Sequence, residues 1–332
     1  MPAPNRRTLL RAGLGASAVV VSAALGGAWW AWRKASDPAP LALDTETEAA
    51  IDASAPCGIK LSYFQLDRHV VVIDFPDLLT QGLTLDRVAA FVEKADAPRD
   101  RVLSDASLSA AIAADGDTVE SYYYGHDYQA ADLARFYQTA ATDGVTLNAH
   151  EQWLHGLLTQ LGWLTPGAAG AIITVPAAGG DIDAGMRAVI LHHEISHGAF
   201  YTDPTYRAYA ESFWYSLTEA DRAAFTGFLG REGYDTSDTE LMLNETQAYL
   251  VFTPDSRFFN AAAVGMSDAF VAQLRDGYIA GMPDFWLRPL AGANPPTVPA
   301  ATPHCTTSTA ANWTGRTCLC FARRASARFT AV

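Results

Sequence analysis

Apolar residues recur at helical spacing along most of the middle of the chain. In windows where they fall at i, i+3, i+4 and i+7, one face of a helix is buried and the other solvated. That pattern predicts helices over 85–94, 106–114, 129–142, 149–161, 181–200, 204–217, 219–231, 241–252 and 266–280. Two short uninterrupted apolar runs read instead as buried strands. These are 69–75, His69-Val70-Val71-Val72-Ile73-Asp74-Phe75, and 170–175, which Pro176 ends. Helices dominate and the strands are few, so the pattern predicts an α+β, helix-rich fold with a small β-sheet over 57–290. Residues 35–56 are acidic and Ala-rich and read as a linker. Residues 291–332 turn to Pro, Thr, Ala and Arg without periodicity and read as a disordered tail.

The first 34 residues form a separate pattern. Paired Arg6 and Arg7 precede an uncharged apolar stretch over 12–32. The run Asn5-Arg6-Arg7-Thr8-Leu9-Leu10-Arg11 resembles the twin-arginine export consensus. Twenty-one apolar residues are long enough to span a bilayer, and Trp29, Trp30 and Trp32 suit an interfacial anchor. Segment 1–34 is therefore expected to be a signal or membrane anchor. The body would then lie outside a bacterial inner membrane, either periplasmic or anchored and facing outward.

Charge and cysteine usage agree with that placement. The formal net charge is −13, with 23 basic and 36 acidic residues. Nine of the bases lie in 1–34 and 316–332, which hold no acids, so the body between them carries 14 bases against 36 acids. No basic face can be assembled from such a surface, which excludes nucleic acid as a partner. The four cysteines suit an oxidising compartment, where Cys57 can bridge to Cys305, Cys318 or Cys320.

The chemistry concentrates in five residues, His193-Glu194-Ile195-Ser196-His197, an HExxH run. The eight histidines of the chain make this pattern rare by chance, with about 0.006 occurrences expected. On a helix, positions i and i+4 share a face, so His193 and His197 can grip one Zn²⁺. Glu194 then points beside the ion, where it can act as a general base on a zinc-bound water. Asp181 or Asp183 can cap this helix, and Gly198 is placed to end it.

A catalytic zinc site needs a third protein ligand, and two downstream carboxylates qualify. Glu245 falls on the apolar stripe Leu241, Glu245, Ala248, Phe252, in a segment with no other charge. Glu211 flanks the stripe Ala210, Phe213, Trp214, Leu217. A carboxylate on a buried face is costly unless it is paired or metal-bound, which favours Glu245.

HExxH followed by a distant Glu in Asn244-Glu245-Thr246-Gln247-Ala248-Tyr249 resembles the gluzincin zinc metallopeptidases. The resemblance covers two helices. It implies a zincin-like metallopeptidase domain, zinc held by His193, His197 and Glu245, and Glu194 as the catalytic base. The substrate would be a peptide or protein. In such folds an edge strand near the HExxH helix binds extended peptide, and strand 170–175 is a candidate for it. Tyr249 departs from the pattern, since an Asp usually stands four residues beyond the ligand Glu to orient a zinc-bound His. Tyr122, Tyr123, Tyr124, His126, Tyr201, Tyr206 and Tyr209 are candidate oxyanion donors. A reading from another class is a non-catalytic envelope protein that keeps a structural or vestigial zinc site and binds a partner.

Overall fold

A computed structural model of the chain describes residues 40–296. The expected signal, the apolar segment 12–32 and all of the tail beyond residue 296 lie outside the described residues. Among the described residues, no helix is long and apolar enough to cross a membrane. Cys57 is disulfide-bonded, and the other three cysteines lie outside the described residues.

The architecture is α+β and helix-rich. A five-stranded mixed sheet is built from β1 (Asp44–Glu46), β2 (Lys60–Phe64), β3 (Asp67–Phe75), β4 (Asp127–Gln129) and β5 (Ala171–Pro176). Its order is β1-β2-β3-β5-β4, with β3 and β5 parallel and β4 antiparallel to β5. β3 has a continuous apolar run because it is buried on both faces. Helix α1 (Glu48–Asp52) follows β1. Between β3 and β5 lie α2 (Leu78–Val92), α3 (Asp105–Ala114), α4 (Ala130–Asp143) and α5 (Ala149–Leu161). After β5 come α6 (Ala184–Thr202), α7 (Pro204–Ser216), α8 (Glu219–Arg231), α9 (Thr239–Phe252) and α10 (Asp268–Gly281).

Side chains alternate across a strand. Val70 and Asp74 of β3 face α6, where Val70 packs at Gly198 and Asp74 meets Arg187. Val71 and Ile73 point to the opposite face, and α2 packs on β3 and β5. α9 packs along α6 and α10 along α9, which stacks the helical half of the core on that side of the sheet.

Three expectations change here. Residues 44–52, expected as linker, form β1 and α1; Ile51 is fully buried because it packs into the main apolar cluster. Gly198, expected to end the HExxH helix, lies inside α6. A Cβ there would stand 2.9 Å from a Val70 methyl, so the glycine serves close packing of helix on strand. The helix ends at Asp203 instead, whose carboxylate accepts from Thr205 N and Tyr206 N and caps α7, with Pro204 in its first turn. Finally, strand 170–175 is interior. The end strand on that side is β4, three residues long and without a periodicity that could reveal it.

Candidate metal centre

Asp183 starts α6 by accepting from Met186 N, and Gln247 of α9 reaches Ser196 across the α6–α9 interface. That packing sets the HExxH face of α6 against the Glu245 face of α9. His193 Nε2 and His197 Nε2 lie 3.0 Å apart. Glu245 spans both, with Oε2 3.7 Å from His193 Nε2 and Oε1 3.6 Å from His197 Nε2. Ligands about 2.0–2.1 Å from one ion at tetrahedral angles sit about 3.3–3.4 Å from each other, and these spacings bracket that value. Glu211 is exposed on α7 and is not part of the cluster.

The tautomer of His193 follows from its neighbour. Thr253 Oγ1 donates to the Ala248 carbonyl at 3.0 Å and so accepts from His193 Nδ1–H at 2.8 Å. Nε2 of His193 is left as a lone pair aimed at the centre. Tyr249, which stands where an orienting Asp was expected, packs its ring edge-on to His193 at 4.8 Å between centroids. Thr253 and Tyr249 together fix the orientation of the His193 ring.

Two further acids complete the cluster, and the pattern of the chain did not single them out. Asp127 lies opposite Ile173 in the β4–β5 pairing, so its side chain points to the α6 side, where Oδ2 is 3.6 Å from His197 Nε2. Glu93 follows the last turn of α2 and accepts from Tyr128 Oη at 2.7 Å. Three overlapping sets, His193–His197–Glu245, Asp127–Glu194–His197 and Glu93–Asp127–Glu245, each bring ligand atoms within 4.8 Å of one another. The structure therefore holds buried His, Glu and Asp groups that could bind a metal ion.

The electrostatics suit a cation. Burial pushes the Glu245 carboxyl up to about 7; His197 opposes that rise and Asp127 adds to it. Burial pushes Glu194 and Glu93 well above the ordinary range, and the neighbouring carboxylates push them further. The same burial lowers His193 to about 4, so its ring is neutral and ready to ligate at neutral pH. Glu245 Oε2 and Glu194 Oε2 are buried without a hydrogen-bond partner. Orphaned acceptors of this kind are rare in folded proteins and mark a place where something else completes the structure.

The centre opens toward a cleft. His193 is the least buried of its three-residue set. With Glu194, Tyr122, Tyr123, Tyr249 and Thr253 it lines a cleft of about 200 Å³. Gly125 forms part of the same wall, and a Cβ there would lie 2.0 Å from Glu194 Oε1, so only glycine lets that carboxylate sit against the backbone. Of the other candidate donors, Tyr201 donates to Asp127. Tyr206 donates to Gln247 and Tyr209 to the Tyr278 carbonyl, both at 2.5 Å, which commits them to packing between α7, α9 and α10. His126 lies beneath the cleft against Tyr123 and Tyr128. His192, off the ligand face, is buried between Glu48 and the Leu290 carbonyl.

No protein-family model, curated protein or solved structure matches the chain.

Proposed function

We propose that the chain is an exported zinc-dependent metallohydrolase with a zincin-like domain, and that it acts as a peptidase. The observation that carries this reading is the joint placement of His193, His197 and Glu245 with Glu194 on the open side, next to the cleft. Two imidazoles and one carboxylate, with a fourth position toward solvent, are the donor set of catalytic zinc. Such an ion supplies Lewis acidity, bringing the pKa of water to about 7 and polarising a carbonyl.

The chain's own residues do the rest. Glu194 is on the cleft wall, and burial raises the proton affinity of its carboxylate. In the ionised form it would take a proton from water and return it to a leaving amine. Tyr122 and Tyr123 both line the same cleft with hydroxyls that have no hydrogen-bond partner, which makes them the best-placed donors for a developing oxyanion. β4 ends the sheet, and it is the strand to which an extended peptide would add.

The test uses the purified full chain, its metal content and a mixed peptide library. The wild type is expected to hold zinc and cleave. Glu194→Gln is expected to keep the zinc and lose about 10²–10⁴-fold in rate. Zinc without cleavage of any peptide would favour a non-catalytic envelope protein that binds a partner, and absence of bound metal would sink both readings.

A further inference from the structure

The cleft that holds His193 and Glu194 also carries a fixed cation. Lys94 is the single Lys or Arg among the described residues on its wall, and it is only 6% exposed. Its backbone is pinned on both sides. Residue 94 bridges Tyr234, Ala95 N donates to the Gly233 carbonyl at 2.9 Å, and Asp235 N donates to the Glu93 carbonyl at 2.8 Å. The ammonium lies over the Tyr122 ring at 4.1 Å and the Tyr123 ring at 4.9 Å. Gly233 gives it room, since a Cβ there would stand 2.9 Å from Nζ.

A buried ammonium is costly unless its charge and its three donors are met. The two ring faces meet part of the charge. Its ion pair is to Asp115 at 3.3 Å, an exposed carboxylate that solvent screens. Asp86 feels the Lys94 charge but lies beyond ion-pair distance. Asp117 and Glu232 also line the cleft, yet Asp117 accepts from the Ser121 hydroxyl at 3.0 Å and Glu232 is exposed. The Tyr122 hydroxyl is buried without a hydrogen-bond partner. One wall thus combines a positioned cation with an unused hydroxyl, a donor set that suits a carboxylate.

We infer that Lys94 seats the terminal carboxylate of the substrate, so that the site trims one or two residues from the C-terminal end of a peptide. This deepens the peptidase reading given above and rests on it. The wall runs from Lys94 past Tyr123, whose ring is 6.1 Å from that of Tyr234, and Tyr234 hydrogen-bonds Glu245. Steps of that size match one or two extended residues at about 3.5 Å each. The cleft, about 200 Å³, is smaller than the roughly 300–1,000 Å³ that encloses a drug-sized ligand, which suits the end of a chain. Tyr122 then donates to the carboxylate, and Tyr123 remains for the oxyanion. In the cleavage step the hydroxyl of water joins the carbonyl carbon and the C–N bond breaks. The remaining proton goes to the amine, which leaves as a free amino acid or dipeptide.

The experiment compares two peptides of one sequence, one ending in a free carboxylate and one in an amide. The zinc-loaded full chain is expected to shorten the acid from its C-terminus by one or two residues, read by mass spectrometry. It should cleave the amide about 10–100-fold more slowly in kcat/KM. Lys94→Met is expected to keep its zinc and lose that preference. A second measurement needs no turnover. With chelator present, so that the probe cannot ligate zinc, N-acetyl-dialanine is expected to bind the full chain about 10-fold tighter than its amide in an NMR titration. Lys94→Met should bind both alike. Equal cleavage of acid and amide, or trimming from the N-terminus, overturns the carboxylate seat and leaves the peptidase reading standing. Equal binding of the two probes overturns the seat as well. Acid-selective binding without cleavage of any peptide overturns the peptidase reading, and with it the trimming. If Lys94→Met fails to fold, the wild-type comparisons of acid with amide decide.

Discussion

Helix α6 carries two buried polar clusters, and they solve the same problem in opposite ways. At Arg187 the protein supplies both signs. The guanidinium donates to Asp74 at 2.9 Å and to the carbonyls of Ile51, Asp52 and Pro176. One Asp74 oxygen remains without a partner, and burial raises that carboxyl, but Arg187 holds the rise in check. Six residues on, at His193, the protein supplies four acids in overlapping sets with two imidazole rings and, among the described residues, no Lys or Arg paired to them. The first cluster carries its own cation and belongs to the scaffold. Burial and an orphaned acceptor are common to both clusters; the balance of charge distinguishes them.

The largest effect that could break this contrast is Arg187→Met. Removing one partner of a buried pair leaves Asp74 uncompensated, and a loss of about 3–5 kcal/mol in urea unfolding is expected. Added zinc should not restore it. Full rescue by metal would mean the two clusters are one system.

Glu245→Gln tests the other half, and its sign depends on the ion. The folded-state pKa of Glu245 is raised to about 7 from an ordinary 4.5. Between those values the folded chain binds the extra proton, so metal-free wild type loses stability as pH rises through that window. Gln has no such cost. The metal-free variant should match wild type below pH 4.5 and exceed it by about 3 kcal/mol above pH 7. With zinc added the order should reverse. A variant that is less stable than wild type in chelator at pH 8 would place Glu245 in the scaffold instead.

Gly125→Ala sharpens the role of the open side. The new methyl would collide with Glu194, and about 10²-fold loss in peptide cleavage is expected, with zinc content unchanged. Unchanged cleavage would mean that Glu194 can work from another position. The smallest effect expected is that of Thr253→Val, which removes the acceptor of His193 Nδ1–H. Zinc affinity should fall about 10–100-fold in competition with a chelator dye, while metal-free stability changes little.

Much of this was legible in the residue pattern, and the limits have physical causes. Long helices with a strong apolar stripe were readable to within a few residues, as at α5 and α8, where capping boxes begin at Asn148 and Thr218. The α+β class, the HExxH helix and the buried Glu245 were readable for the same reason: a charge on an apolar stripe stands out. β1, β2 and β4 were not, because three to five residues carry too little alternation and their stability comes from neighbours distant in sequence. Asp127 was hidden in one of these short strands. Glu93 continues the stripe of Leu85 and Ala89 inside the expected helix 85–94, a signal of the kind that marked Glu245, but it stands beside Lys94 in the last turn, where a charge is ordinarily solvated. Gly198 was misread because sequence does not show which strand a helix will approach.

His192 has a consequence for how the molecule comes into being. One ring joins Glu48, 144 residues before it, to Leu290, 98 residues after it, so the first helix and last turn of the described chain meet on the back of the helix that presents His193 and His197. A nascent chain emerging in order would have the HExxH helix long before it had Glu245, and the clasp would close only when Leu290 arrived. Contacts so far apart form late. Any metal capture would thus be an event of the folded polypeptide: a product ending before Glu245 and Leu290 would have the histidines without the enclosure around them.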